Sequence, residues 1–334
     1  MQLPAAVRER IEAWSENIPL ADLRRAAERL SATYKDGEFA GVFDSPAARL
    51  AYVHVRLPAT FAACALALAY CADAIPGFTP QSLLDLGSGP GSAILAAQRQ
   101  FPSVRNTVAL ERDAELARLA SEFVGNFVDH RPSDIRTAAF PKSDLVIASY
   151  CLGEIAAKDR LDVIDRAWGA TTGLLLVLEP GTPDGYARIL AVRDHLLAAR
   201  AQMVAPCPHA QRCPMQGTHD WCHFAARVER TSLHRQLKSG SLGHEDEKFS
   251  YVAFAREAAR LPASRTVRHP QQHGGHIKLQ LCVDGEQIRE MVVTRSQKQD
   301  YRAARRVRWG DAWPPYTEDD ADWGHPRPQT AGGR

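Results

Sequence analysis

No uninterrupted apolar stretch in the 334 residues reaches the roughly 18 to 20 that a membrane-spanning helix needs. The nearest, FAACALALAYCADAI (residues 61–75), is too short and reads as a buried helix. The first thirty residues have no apolar signal core, and their several acids fit a mitochondrial transit peptide poorly. The expectation is a cytoplasmic chain with no membrane partner, acting as a monomer, with its thiols reduced. A disulfide framework is then excluded as the reason for clustered cysteines, which leaves metal or redox chemistry. The C-x2-4-C knuckles of many structural zinc sites are also missing. No segment repeats.

What is present is an ordinary globular composition, 45% hydrophobic and 24% charged. Residues 1–75 place apolar side chains at three-and-four spacing, in AAVRERIEAW, LADLRRAAERLSATY and the long stretch from Ser45. These predict helices, the last with Ser45 as N-cap ahead of Pro46. Pro76 and Gly77 break the chain. From 82 to 190 apolar runs alternate with helical patterns: SLLDLGSG, SAILAAQRQF, RNTVALERD, AELARLASEFVGNF, SDLVIASYCLG, KDRLDVIDRAWGA, GLLLVLEPG and DGYARILAVRDHLLAAR. This βαβ rhythm implies an α/β fold with a parallel sheet covered on both faces. Ligands of such a sheet bind beyond the carboxyl ends of its strands.

AQMVAPCP and HEDEKFSYVAFARE read as further strands. GHIKLQLCVDGEQIREMVVTRSQ reads as a hairpin turned at Asp284–Gly285, and QDYRAARRVRWG as a short basic helix. The expected organisation is a helical region over 1–75, an α/β domain over 76–257 with a cysteine insertion at 205–247, and a basic extension over 258–311. The tail over 312–334, rich in Pro, Gly and acid, is expected to be disordered.

The net charge of +2 hides an asymmetry: residues 224–310 hold 17 Lys and Arg against 9 Asp and Glu. A basic C-terminal region suits a polyanion, nucleic acid first, or is an unevenly charged solvated surface. Candidate phosphate contacts are Arg227, Arg230, Arg235 and Lys238 after the last clustered cysteine, and Arg302, Arg305 and Arg306 in the basic helix. The acidic GHEDEKFSY stretch could position the first group by ion pairing.

LLDLGSGPGSA puts Asp85, Gly87, Ser88, Gly89 and Gly91 directly after an apolar run. The dinucleotide spacing G-x-G-x-x-G would need glycine at position 92, where Ser92 stands. The D-x-G-x-G-x-G form suits S-adenosylmethionine, which carries no phosphates. Glu111, ending the second strand, can accept hydrogen bonds from ribose hydroxyls. Asp134, in the loop after the third strand, is a candidate for the adenine amino group or a plain turn acid.

Cys207, Cys213 and Cys222 fall within sixteen residues, interleaved with His209, His219 and His223. Cys282 lies far away on HIKLQLC, where alternation puts Ile277, Leu279 and Leu281 on one face and Lys278, Gln280 and Cys282 on the other. A packing cysteine joins the apolar face; Cys282 does not, and is the candidate fourth thiolate. Four thiolates at long irregular spacing suit an iron–sulfur cluster, and mixed thiolate–imidazole ligation suits zinc. Cys64, Cys71 and Cys151 lie in apolar runs and read as packing.

APCPH…CP…DWCHFAARVERTSLHR, GHEDEKFSYVAFAR, RHPQ and YRAARRVRWGDAW resemble the methyltransferase-like small-ribosomal-subunit assembly factors. These are mitochondrial in eukaryotes and have bacterial relatives. The resemblance runs from about Pro46 through SLLDLGSGPGSA, SYCLGE and LEPGTPDG to about Trp313. It implies a Rossmann-like S-adenosylmethionine methyltransferase fold, S-adenosylmethionine as ligand, and a 4Fe–4S cluster on Cys207, Cys213, Cys222 and Cys282, with zinc as the alternative. It implies the small ribosomal subunit and its 16S rRNA as partner. The cysteine segment then becomes an insertion before the last strand, and Cys282 staples a basic β-hairpin extension to it.

A methyl-transfer catalyst is not evident. The N/D-P-P-Y/F loop of amino-group methyltransferases is missing after the fourth strand, where ASYCLGEIAA stands. Cys151 has no Pro-Cys signature, and Glu154 is a base or simply a helix-starting acid. The chain is therefore expected to be either an rRNA methyltransferase or a binding factor that uses the fold.

Overall fold

The computed structural model describes residues 1–36, 43–125, 127–237 and 242–316. Three helices open the chain: α1 (Ala5–Ser15), α2 (Leu20–Asp36) and α3 (Pro46–Ala74). Ser45 caps α3 as expected, its hydroxyl accepting from the Ala48 amide at 3.2 Å. By length and composition this 29-residue helix could cross a membrane, which a count of unbroken apolar residues misses. Here most of that apolar stretch is buried inside the fold.

The α/β part follows as β1 (Ser82–Leu86), α4 (Ser92–Gln100), β2 (Asn106–Glu111), α5 (Ala114–Val124), β3 (Val128–Pro132) and β4 (Ser143–Ser149). Then come α6 (Arg160–Ala170), β5 (Thr171–Pro180), α7 (Pro183–Ala198) and β6 (Gln202–Ala205). The insertion contains β7 (Phe224–Glu229) and α8 (Ser232–Leu237), and β8 (His244–Ala255) closes the sheet. Strand order is β3-β2-β1-β4-β5-β8-β6. β1 to β5 run parallel, and β8 is antiparallel to both β5 and β6. The order reverses beside β1, so the crevice for a ligand opens at the carboxyl ends of β1, β2 and β4.

The period of two along buried strands explains both layers. Leu145 and Ile147 of β4 face one core with α3 and α4, while Val146 and Ala148 face the other with α6 and α7. At roughly 1.5–3 kcal/mol for each fully buried aliphatic side chain, these two layers outweigh any single polar contact in the fold.

β7 departs from the sequence reading, which gave no strand to FAARVE. Phe224, Ala226 and Val228 alternate inward and pair with the outer half of the twelve-residue β8. The alternation was present, but the charges around it masked it.

The C-terminal part is a second sheet: β9 (Ser264–Thr266), β10 (Gln271–Gln272), β11 (His276–Val283) and β12 (Gln287–Thr294), followed by α9 (Lys298–Ala304). β11 and β12 form the expected hairpin around Asp284–Gly285. The start of the tail is not as expected. Trp313 is 5% exposed, its amide donates to the Ser264 carbonyl at 2.9 Å, and Ala312 bridges Arg265. The indole fills the small core of this sheet, with Ile277, Leu279 and Leu281. The rest of that tail, 317–334, lies outside the described residues.

Candidate functional site

The first site forms where β1 ends. Gly87, Gly89 and Gly91 all have positive φ (67°, 51° and 85°). A side chain at Gly87 would bring its Cβ within 2.8 Å of the Cys151 Cβ, and one at Gly91 within 2.5 Å of Val124 Cγ1. The loop therefore needs glycine both for its turn and for its close packing. Glu111, at the end of β2, closes it: one carboxylate oxygen accepts from the Gly89 amide at 2.8 Å and the other from the Asp113 amide at 2.9 Å. Burial raises the Glu111 carboxyl, and these two amides oppose that rise.

A cavity of about 540 Å³ opens above the loop, and Gly87, Ser88, Gly89, Glu111 and Asp134 all border it. Asp85 and Gly91 lie behind the loop rather than on the cavity wall. Asp85 is fully buried, and neither carboxylate oxygen has a hydrogen-bond partner among the described residues. Burial, with the charge of Glu111 adding, pushes its carboxyl up to about 8. Asp134 is turned onto Arg136, which contacts both its oxygens and draws its carboxyl down to about 2.

Three further residues border this cavity, of which sequence reasoning weighed Cys151 and Glu154 and missed Tyr150. Tyr150, directly after β4, has φ 58°, an outlier for an aromatic residue. Its hydroxyl donates to Glu247 Oε1 at 3.0 Å, and Arg56 pairs with the same carboxylate at 3.2 Å. The only sequence signal was a bulky residue where the strand must turn. Cys151 follows, its thiol buried and raised well above the ordinary range by that burial. Glu154 borders the cavity, and burial followed by the charge of Glu111 pushes it up to about 7 against the opposing Arg112.

The second site is the cysteine centre. Cys207 follows β6, Cys213 and Cys222 lie in the loop up to β7, and Cys282 enters from β11. All four border one small cavity with His209, Val267 and Arg265. Cys282 belongs to this cluster and not to the Ile277–Leu279–Leu281 core behind it, as the alternation required. Tyr186 Oη lies 3.2 Å from Cys213 Sγ, and His209 Nε2 3.7 Å from Cys282 Sγ. Burial pushes the Cys282 thiol up to about 12 and the Cys222 thiol well above its usual range.

Of the interleaved histidines only His209 reaches the cavity. His219 is exposed, and His223 is stacked on Trp221 at 5.1 Å. Trp221 packs there, its indole N–H donating to the Gly181 carbonyl at 2.9 Å, and does not wall the cavity. Among the described residues no group of three or more Cys, His, Asp or Glu side chains is arranged to hold a metal ion.

The basic residues divide. Arg302, Arg305 and Arg306, on and just after α9, are exposed, as is Arg235 on α8. Arg227 is exposed but paired with Asp246 at 3.0 Å. Arg230 corrects the expectation: its side chain is only 13% exposed and is locked to Glu245 at 2.6 Å, because the acidic start of β8 folds back onto it. Lys238 lies outside the described residues.

A sheet of this order, with a glycine loop after β1 and an acid closing it from β2, defines a protein of the Rossmann-like methyltransferase class. Within that class the chain belongs to the family described as mitochondrial small ribosomal subunit Rsm22, which matches residues 46–314. It is 30% identical over 305 residues to the human ribosome assembly protein METTL17, mitochondrial, covering 81% of this chain and 65% of that one. It is 26% identical over 343 residues to the Rsm22-cox11 tandem protein 2, mitochondrial, of Schizosaccharomyces pombe, covering 85% and 45%. The chain thus spans about half to two thirds of the length of these relatives. Among solved structures, the plantazolicin methyltransferase BpumL in complex with SAH covers 76% of this chain and 100% of its own at 10% identity and a TM-score of 0.43, too loose a likeness to carry anything further.

Proposed function

We propose that this chain is a small-ribosomal-subunit assembly factor that binds S-adenosylmethionine at the β1 loop and a 4Fe–4S cluster between Cys207, Cys213, Cys222 and Cys282. The single observation carrying this reading is the convergence of Cys282, from the basic extension, on the cavity bordered by the other three cysteines. Four thiolates at long, irregular spacing around one recess suit a 4Fe–4S cluster, with zinc as the alternative. Membership in the Rsm22 family supports the ribosomal partner.

The β1 site fits S-adenosylmethionine in its donor set. Glu111 faces the cavity as a ribose acceptor, and the glycine loop allows close approach of the methionine half. The bound ligand supplies an electrophilic methyl group. The chain's own residues do little to use it. Tyr150 is held by Glu247, Cys151 is buried as a thiol, and the N/D-P-P-Y/F loop is missing. Those observations favour a docking role over catalysis.

In that role the exposed arginines around α9 meet rRNA phosphates, and the cluster fastens this small basic sheet to the methyltransferase layer. Mapping of 16S rRNA methylation together with subunit sedimentation in a deletion strain tests this. Accumulated small-subunit precursors with full methylation are expected; loss of one methyl mark with normal subunits would overturn the docking reading.

A further inference from the structure

Two arginines are buried beside the cysteine centre, and nothing above uses their charge. Arg193 of α7 is 3% exposed and Arg265 of β9 is 2% exposed. Each holds the Cys207 loop by its backbone. Arg265 donates through Nε to the Pro206 carbonyl at 2.7 Å and through Nη1 to the Gly310 carbonyl at 3.0 Å. Arg193 donates through Nη2 to the His209 carbonyl at 3.3 Å and also to the Gln211 carbonyl. The loop carrying Cys207 is thus gripped from the methyltransferase layer on one side and from the C-terminal sheet on the other.

Neither guanidinium is exhausted by these bonds. Arg265 Nη2 and Arg193 Nε are buried without a hydrogen-bond partner among the described residues. Arg265 borders the cysteine cavity itself. Arg265 also faces Asp73 near the end of α3, which is exposed to water. Asp194 pairs with Arg193 Nη1 at 3.0 Å, but its side chain is 46% exposed and screened by water. Buried cations without full compensation are costly unless an anion joins them.

We propose that Arg193 and Arg265 are positioning residues that also supply the counter-charge of the four-thiolate centre, setting its reduction potential while fixing the Cys207 loop. This rests on the cluster reading above. A 4Fe–4S centre with four thiolates is a net anion in either of its common oxidation states, and it becomes more negative when it takes up an electron. A nearby guanidinium stabilises the reduced form more than the oxidised form, because its attraction grows with the charge it faces.

The test uses the full chain purified without oxygen, as wild type, Arg193→Gln, Arg193→Lys and Arg265→Lys. Iron and sulfide are counted, and midpoint potential is followed by electron paramagnetic resonance during titration with dithionite. The expected result for R193Q is a more negative potential and faster loss of iron to a chelator, with R193K and R265K, which keep the charge, closer to wild type. R193Q failing to hold iron while R193K holds it would support the same conclusion. Full iron in R193Q at an unshifted potential would overturn it, as would equal shifts or equal iron loss in R193Q and R193K, which assign the arginine a packing role alone. Wild-type protein free of iron and sulfide sinks the cluster reading and this inference with it, whereas a wild-type cluster indifferent to R193Q sinks this inference alone.

Discussion

The Glu111 carboxylate accepts the Gly89 amide at 2.8 Å, tying the end of β2 to the glycine loop of β1. One side chain thus both shapes the loop and faces the cavity. A hydrogen bond to a charged group contributes about 1.5–3 kcal/mol. Glu111→Ala is therefore expected to weaken S-adenosylmethionine binding by at least about tenfold, read by isothermal titration calorimetry. Unchanged affinity would remove Glu111 from the site.

Asp85 predicts a pH dependence. Its folded carboxyl sits at about 8 against an ordinary value near 4, so the folded chain holds that proton more tightly than the unfolded chain. The stabilisation is complete below the unfolded value and is lost as pH rises from about 4 through about 8. Ligand-free wild type should lose up to about 4 kcal/mol more than Asp85→Asn between pH 5 and pH 8 by urea titration. Parallel pH profiles for the two proteins would contradict the buried, unpartnered state of Asp85.

Gly91 tests the loop independently of any ligand. At φ 85°, with Val124 Cγ1 2.5 Å from the position of an added Cβ, Gly91→Ala is strained and overpacked at once. A loss of about 2–4 kcal/mol in unfolding free energy is expected. A neutral substitution would mean that the loop adopts another conformation.

The basic surface separates by how its residues are held. Converting Arg302, Arg305 and Arg306 to Ala should weaken binding to small-subunit rRNA fragments and flatten the dependence of log affinity on log salt by about 1 per residue removed. Arg230→Ala should leave that slope unchanged and lower stability instead, because it removes one partner of Glu245 from a largely buried pair. A slope change for Arg230→Ala would contradict the pairing.

The parts legible in the sequence are those governed by local rules. The period of two on β11 placed Cys282 opposite Ile277, Leu279 and Leu281, and the glycine spacing located the β1 loop. Ser45 ahead of Pro46 announced the start of α3. What escaped depends on contacts made across the fold. β7 acquires its identity only when β8 pairs with it, and Arg230 looked like a phosphate ligand until Glu245 closed on it. Trp313 looked like part of a polar tail until the second sheet offered it a core. Tyr150 gained its role from Glu247, 97 residues further along the chain.

If Cys282 joins Cys207, Cys213 and Cys222 around one iron–sulfur centre, protein purified without oxygen is brown and carries about four iron and four acid-labile sulfide per chain, and Cys282→Ser bleaches it as completely as Cys213→Ser. A colourless, zinc-loaded protein, or a Cys282→Ser variant that keeps its iron, would contradict that arrangement.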